Sequence, residues 1–226
     1  MEQQEIREIE LVAKQLPRQA RAKKTYETIL ASAAELLVEV GVERISTNLI
    51  AERAGVTVPA LYRYFPNKYA VIHALGVDLM QRQNSAFQCW MSGVVSEHGL
   101  GGLLPRVGEG LGVIYQTTRE DPAGIEVFNA LRAMAPLREH RASSRRNAAR
   151  YLVQMMAQWL AIDVTPQLEV QARLTVDMAC GIVESALESD PREAQAILQE
   201  GAVMIAAYWQ QNYAQSTGNP ARATTT

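Results

Sequence analysis

The stretch Ile45-Ser-Thr-Asn-Leu-Ile-Ala-Glu-Arg-Ala-Gly-Val-Thr-Val-Pro-Ala-Leu-Tyr-Arg-Tyr-Phe-Pro-Asn-Lys68 decides the fold. Ser46 or Thr47 can cap a short helix that runs from Thr47 to Ala54, because a hydroxyl there accepts an otherwise unpaired N–H. Gly55-Val56 makes a turn. Thr57 can cap a second short helix with Pro59 in its first turn, where a missing N–H costs nothing. Phe65-Pro66 stops that helix, since the residue before proline avoids the α region. Asn67 can cap a longer helix that runs through Leu79 and as far as Trp90. Two short helices around a glycine turn form a helix-turn-helix, whose second helix can enter a DNA major groove.

Helical spacing predicts the faces. Leu49, Ile50 and Ala54 face inward from the first helix, and Leu61 and Phe65 do so from the second at i and i+4. Val58, Pro59, Ala60, Tyr62, Arg63 and Tyr64 are left for the other faces. Thr57, Tyr62, Tyr64 and Lys68 can donate to phosphates. Thr47 and Asn48 open the first helix, where Asn48 can reach a base, and Arg63 suits a phosphate or a guanine edge. Val58, Pro59 and Ala60 offer only apolar contacts, such as those with thymine methyls. The alternative is an αα-hairpin with its aromatics in the core. Tyr62, Tyr64 and Phe65 fall within four positions, on too many sides of a helix for one small core, and tyrosines beside Arg63 and Lys68 suit a phosphate surface.

Upstream, Ile29, Ala33, Leu36, Leu37 and Val40 recur at helical spacing, and Gly41 ends that helix as a C′ glycine would. Arg18, Arg21, Lys23 and Lys24 put four positive charges in seven residues before it. They read either as an arm that reaches the minor groove or as a solvated charge run.

Residues 25–72 resemble the DNA-binding domain of the TetR (tetracycline-repressor-like) family of bacterial transcriptional regulators. The matching features are Ile29-Leu30, Ala33-Ala34, Gly41, Ile50-Ala51, Ala54-Gly55-Val56-Thr57 and Leu61-Tyr62-Arg63-Tyr64-Phe65-Pro66-Asn67-Lys68. The resemblance implies an all-α protein with an N-terminal helix-turn-helix domain and a C-terminal ligand-binding and dimerisation domain. It also implies double-stranded DNA with a palindromic operator as partner, a small organic effector, and a homodimer joined by a four-helix interface.

Composition is compatible with this. The 226 residues are 48% hydrophobic and 20% charged, which is ordinary globular usage. The net charge of −2 hides an asymmetry. Residues 18–68 carry eight basic and five acidic side chains, net +3, whereas residues 69–226 carry twelve and fifteen, net −3. A basic N-terminal part can meet a polyanion without coating the whole molecule with it. The longest apolar runs are far short of the ~20 residues that span a bilayer, and MEQQEIREIE lacks a signal-peptide core. Cys89 and Cys180 form neither a disulfide framework nor a zinc set. The expectation is a soluble, cytoplasmic, nucleoid-associated protein without cofactor, metal or membrane.

Asp121-Pro122, Thr165-Pro166 and Asp190-Pro191 read as N-cap followed by N1 proline. They divide the remainder into helices near 100–119, 122–134, 137–161, 166–188 and 191–213, for about nine helices in all. The expected organisation is an extension at 1–17, a helix-turn-helix domain at 18–66, an effector and dimerisation domain at 67–213 and a disordered tail at 214–226. Ile6, Ile9, Leu11, Val12 and Leu16 of the extension allow either a frayed segment or one that docks.

No Ser/His/Asp, Cys/His or carboxylate pair stands out, so the reading is not an enzyme. The alternatives are a DNA-binding architectural protein without effector and an all-α enzyme using a C-terminal cavity. Candidate pocket residues are Phe87, Trp90, Met91, Tyr115, Phe128, Met134, Met155, Trp159 and Met178, which otherwise serve as core. Arg138, Arg141, Arg145, Arg146 and Arg150 form stripes that read as a solvated face or an anion site. Met178, Ile182, Ala186, Ile197, Ile205 and Trp209 are the candidate dimer contacts, with internal packing as the alternative.

Overall fold

The computed structural model describes residues 19–217, the side chains at 100, 136, 138–140, 159, 160 and 213–217 excepted. The nine α-helices of the described residues are α1 (Ala20–Arg44), α2 (Thr47–Arg53), α3 (Val58–Tyr62), α4 (Lys68–His98), α5 (Val107–Glu120), α6 (Gly124–Ala133), α7 (Arg138–Leu160), α8 (Pro166–Glu188) and α9 (Pro191–Thr217). Short 3-10 turns occupy Leu100–Gly102, Leu104–Arg106 and Ala135–Leu137, and no strand occurs among the described residues. The protein is all-α, as expected.

Polar caps set most of the boundaries. The hydroxyls of Ser46, Thr57 and Thr165 accept the N–H groups of Leu49, Ala60 and Leu168 at 3.3, 3.3 and 3.1 Å. Asn67 Oδ1 accepts from Ala70 N–H at 2.9 Å, and Asp190 Oδ1 accepts from Arg192 and Glu193. Each cap satisfies a donor that the first turn leaves without a helical partner. Helix α1 is interrupted at Gly41, whose φ of 74° and ψ of 170° lie in a region open essentially to glycine alone.

Four boundaries differ from expectation. Helix α4 continues past Trp90 to His98, because no breaker stands before Gly99, whose φ is +67°. Residues 100–106 form 3-10 turns rather than helix, in a stretch crowded with glycine and holding Pro105. Asp121-Pro122 precedes a helix without capping it. Asp121 Oδ1 instead accepts from Ala123 N–H at 2.8 Å, and α6 begins only at Gly124. Glycine is required there, since a Cβ at 124 would lie 2.1 Å from the Thr118 carbonyl oxygen. Finally, α9 extends through Thr217, so residues 214–217 belong to a helix. Residues 1–17 and 218–226, including the expected extension and most of the tail, lie outside the described residues.

The chain divides into two compact units. The first holds the described residues up to Arg82 together with Thr118–Arg141. One core joins Ile29, Leu37, Ile45, Ile50, Leu61 and Phe65 with Val71, Ile72, Ala130, Leu131 and Leu137. The start of α4 and all of α6 therefore belong with the helix-turn-helix, beyond the boundary expected at residue 66. Helices α4 and α6 approach closely at Gly76, where a Cβ would meet Leu131 at 2.6 Å. Arg82 bridges Asp78 at 3.0 Å and Asp121 at 2.5 Å.

The second unit holds Gln83–Thr117 and the described residues from Ala142 on. Its densest packing is the α8–α9 pair. There Gly201 lies under Ile182, whose side-chain carbons would be 2.5–2.7 Å from a Cβ at 201. Trp209 Nε1 donates to Thr175 Oγ1 at 3.0 Å inside this pair. From α7, Arg145 reaches Glu184 at 2.6 Å and Asp177 at 3.7 Å.

Candidate nucleic-acid interface

Helices α2 and α3 are built as a helix-turn-helix. After α2, Gly55 takes φ +64°. Its N–H bonds the Glu52 carbonyl and the Val56 N–H bonds the Ala51 carbonyl, a Schellman pair that ends the helix sharply. Ile50, Ala51, Leu61 and Phe65 are each at most 1% exposed and hold both helices to α1. Leu49, expected inward, is 38% exposed, and Ala51 takes its place. Arg53 ties α2 to α1, with 2.8 and 2.6 Å bonds to the two Glu39 oxygens and a longer one to Glu35. That hydrogen bond holds the Glu39 carboxyl below its ordinary range and raises the Arg53 guanidinium above its own.

The outward surface carries most of the expected reading residues. Asn48, Thr57, Pro59, Tyr62 and Arg63 are exposed, while Thr47, Val58 and Ala60 are half-buried. Thr47 and Tyr62 face each other with their hydroxyls 3.1 Å apart, which sets the first turn of α2 beside the end of α3. An open groove of about 400 Å³ lies here, lined by Glu43, Arg44, Ile45, Ser46, Thr47, Tyr62, Asn67 and Lys68.

Two members of the expected set are placed differently. Tyr64 is 9% exposed and packs edge-on to Tyr26 at 6.2 Å. Its ring is committed to the core, because Leu61, Tyr64 and Phe65 fall on one side once the chain turns out of α3. Tyr26 also stacks on Phe65, and burial raises its phenol, aided by the charge of Asp78. Lys68 does not extend freely: its Nζ donates to the carbonyls of Ile45 at 3.1 Å and Val42 at 3.5 Å. It ties the interrupted end of α1 to the start of α4 as well as bordering the groove. Arg21, Lys23 and Lys24 sit in the first turns of α1, helical rather than extended, and Arg18 lies outside the described residues. Arg44, Ser46 and Asn67 were not expected as lining residues; the polar run around the two caps was the available signal.

The candidate pocket residues are divided between the two units. Phe128 and Met134 belong to the core of the first unit, whereas Phe87, Trp90, Met91, Tyr115, Met155 and Met178 lie in the second. The Trp159 side chain is outside those described. Within the second unit, Phe87 and Trp90 lie 5.3 Å apart over Gly110, and Trp90 Nε1 donates to Glu109 at 3.3 Å. Arg145 is engaged by Glu184 and Asp177, and Arg150 by Asn147. Among the described residues, no group of three His, Cys, Asp or Glu could hold a metal ion, and no helix is long and apolar enough to cross a membrane.

Of the six candidate dimer contacts, three are buried within the chain and three are half-buried. Ala186, Ile205 and Trp209 are at most 4% exposed inside the α8–α9 pair. Ile182 covers Gly201, and Met178 and Ile197 are half-buried. The exposed apolar residues are instead Val170 and Leu174 on α8, and Val203 and Met204 on α9, each 57–63% exposed. Helix α8 thus carries exposed Val170 and Leu174 one turn apart, legible in the sequence as an i, i+4 pair, and α9 carries the exposed neighbours Val203 and Met204.

The chain matches the family described as bacterial regulatory proteins, tetR family, over residues 29–75. It matches the tetracyclin repressor-like C-terminal domain over residues 104–213. The class A tetracycline repressor protein from transposon 1721 of Escherichia coli is 41% identical over 58 residues, 26% of this chain and 27% of that protein. The match thus spans about a quarter of the length of that relative. A TetR-family transcriptional regulator from Streptomyces coelicolor superposes with a TM-score of 0.54 at 24% identity, covering 83% of this chain and 98% of the other. The structure of SmeT in complex with triclosan gives 0.56 at 19% identity, over 82% and 91%. These structures share the fold. With both domains matched in order along one sequence, the chain belongs to the TetR family of bacterial transcriptional regulators.

Proposed function

We propose that this regulator is a homodimeric repressor that binds a palindromic operator and is released by a small organic effector. The observation that carries the reading is the outward surface of α2 and α3: exposed Asn48, Thr57, Pro59, Tyr62 and Arg63 beside an open groove bordered by Arg44 and Lys68. A phosphate in that groove meets the Tyr62 hydroxyl and the Lys68 ammonium, contacts that position the protein without reading sequence. Arg21, Lys23 and Lys24 add cations at the start of α1.

The exposed apolar residues Val170 and Leu174 of α8 and Val203 and Met204 of α9 supply the second subunit's seat. Burying them against their symmetry mates forms a four-helix contact, and two-fold symmetry then asks for two half-sites about one helical turn, roughly 34–36 Å, apart. The effector acts by linkage. A compound that favours the conformer with separated reading heads weakens operator affinity by the same factor. Apolar and sulfur-bearing side chains of the second unit suit an organic ligand better than an ion. A structural neighbour, SmeT, is in complex with triclosan.

Capture of genomic fragments by the purified full chain, followed by fluorescence anisotropy on the recovered duplex, tests the reading. The expected result is an inverted repeat whose affinity falls steeply with salt and which a member of a metabolite and antimicrobial collection releases. Sequence-indifferent binding of all fragments would overturn the repressor reading in favour of an architectural one.

A further inference from the structure

The reading surface also carries information about base composition, and this inference rests on the DNA-binding reading above. Several side-chain donors on that surface are already engaged inside the chain. Arg53 is held by Glu39 and Glu35, Lys68 by two carbonyls, and the Tyr62 and Thr47 hydroxyls by each other. Asn48 and Arg63 are both exposed, and neither side chain has a hydrogen bond or ion pair with the described residues. Arg63 stands at the C-cap of α3, one turn beyond Pro59 on the side opposite Leu61, and so adds a cation at the flank. The first turn of α3 meets solvent through exposed Pro59 and half-buried Val58 and Ala60, none of which has a side-chain donor or acceptor.

These two chemistries match one base pair. The Asn48 amide offers one acceptor and paired donors on a neutral group, which complements the N6/N7 edge of adenine. Pro59 and Ala60 present only apolar surface, which complements the C5-methyl of thymine. A guanine read at the same place asks for two donors from one side chain, as arginine provides, and no arginine stands in the first turn of either helix. We propose that the operator half-site carries A·T pairs where the first turns of α2 and α3 meet it, with an adenine read by Asn48 and thymine methyls covered by Pro59 and Ala60.

The test is selection from a random duplex pool by the full chain and by Asn48→Ala at one salt concentration. Anisotropy follows on the selected duplex, on the same duplex with 7-deazaadenine at the invariant adenine, and with uracil for thymine. The wild-type pool is expected to hold an invariant adenine in each half-site, which Asn48→Ala randomises. Affinity for the parent duplex should fall about 5- to 150-fold in the variant. The 7-deazaadenine duplex should weaken the wild type and leave Asn48→Ala unchanged, and uracil should weaken both several-fold. Half-sites made of G·C pairs, an Asn48→Ala pool identical to the wild type's, or modified duplexes bound as tightly as the parent would overturn the proposal. Recovery of no sequence at all would instead remove the DNA-binding reading beneath it.

Discussion

The α2–α3 pair and the α8–α9 pair are both adjacent helices closed by side-chain caps, yet their outward surfaces differ in chemistry. In the first pair the inward residues are apolar and the outward ones are mostly polar or small, with Leu49 the large exception. In the second, apolar residues occupy both sides of each helix. Leu168, Ala172 and Val183 face inward while Val170 and Leu174 face out, and Ile205 and Trp209 are buried while Val203 and Met204 are exposed. A one-sided helix pair identifies its core from sequence alone. A two-sided pair does not, because the sequence places apolar residues on both sides without saying which one the chain itself covers.

The largest test of this contrast substitutes the two sides of α9 in turn. Ile205→Asp places a charge at a position 4% exposed, at a cost of about 3–5 kcal/mol, the range for an uncompensated buried charge. We expect it to lower the urea midpoint sharply. Val203→Asp, at a position 63% exposed, should leave circular dichroism unchanged while halving the mass in sedimentation. Dimers that persist in both Val203→Asp and Leu174→Asp would remove these exposed residues as the subunit contact.

Next in size is the pair of tyrosines that the sequence placed together. Tyr64→Ala removes a core ring and should cost about 3–5 kcal/mol of unfolding free energy. Tyr62→Ala should stay within about 1 kcal/mol and weaken binding to DNA of any sequence. Equal destabilisation by both, read from denaturant midpoints at constant slope, would break the distinction between packed and outward aromatics.

A smaller effect separates glycines that hold a special backbone from those that do not. Gly41→Ala forces alanine into a positive-φ conformation and should cost about 1–3 kcal/mol. Gly112 lies in α5 with nothing near a prospective Cβ, so Gly112→Ala should gain up to about 1 kcal/mol. Thermal midpoints that move in the same direction would contradict these backbone assignments.

The smallest effect concerns the α1–α2 tie. Arg53 lowers the Glu39 pKa through its hydrogen bond. The pair's contribution is thus present above the ordinary carboxylate pKa and is lost as pH falls through the depressed folded value. Stability of wild type and Glu39→Gln, measured between pH 3 and pH 7, should converge at the acid end and differ slightly at neutrality. A gap that widens on acidification would reverse the assignment.

Much of the fold was legible because helix ends are local events. Ser46, Thr57, Asn67, Thr165 and Asp190 each act on N–H groups within three residues, so their positions predicted five starts. Asp121 failed because its carboxylate turned to Ala123 and to Arg82, which lies 39 positions away in sequence. On the outward face of α2 and α3, Asn48, Thr57, Pro59, Tyr62 and Arg63 are exposed, as their positions at the caps and outer faces of the two helices predicted. Tyr64 is not, since it lies where α3 has ended and its periodicity no longer applies, and Lys68 borders the groove half-buried, tied to the carbonyls of Val42 and Ile45. The pocket residues were the least legible: bulk and apolarity are shared by core and cavity, and spacing along a chain does not say which compact unit a residue joins.

The sequence by itself determined an all-α chain, the position of its helix-turn-helix and the family resemblance those residues carry. Caps, glycines and proline act within a turn or two, and their signals survive without knowledge of the rest. Tertiary structure alone decided that α6 joins the unit of the helix-turn-helix, that Lys68 holds the carbonyls at the end of α1, and which sides of α8 and α9 are buried. Each of these depends on contacts between residues distant in sequence. An apolar side chain has no directional preference that names its partner, so only the folded arrangement assigns one.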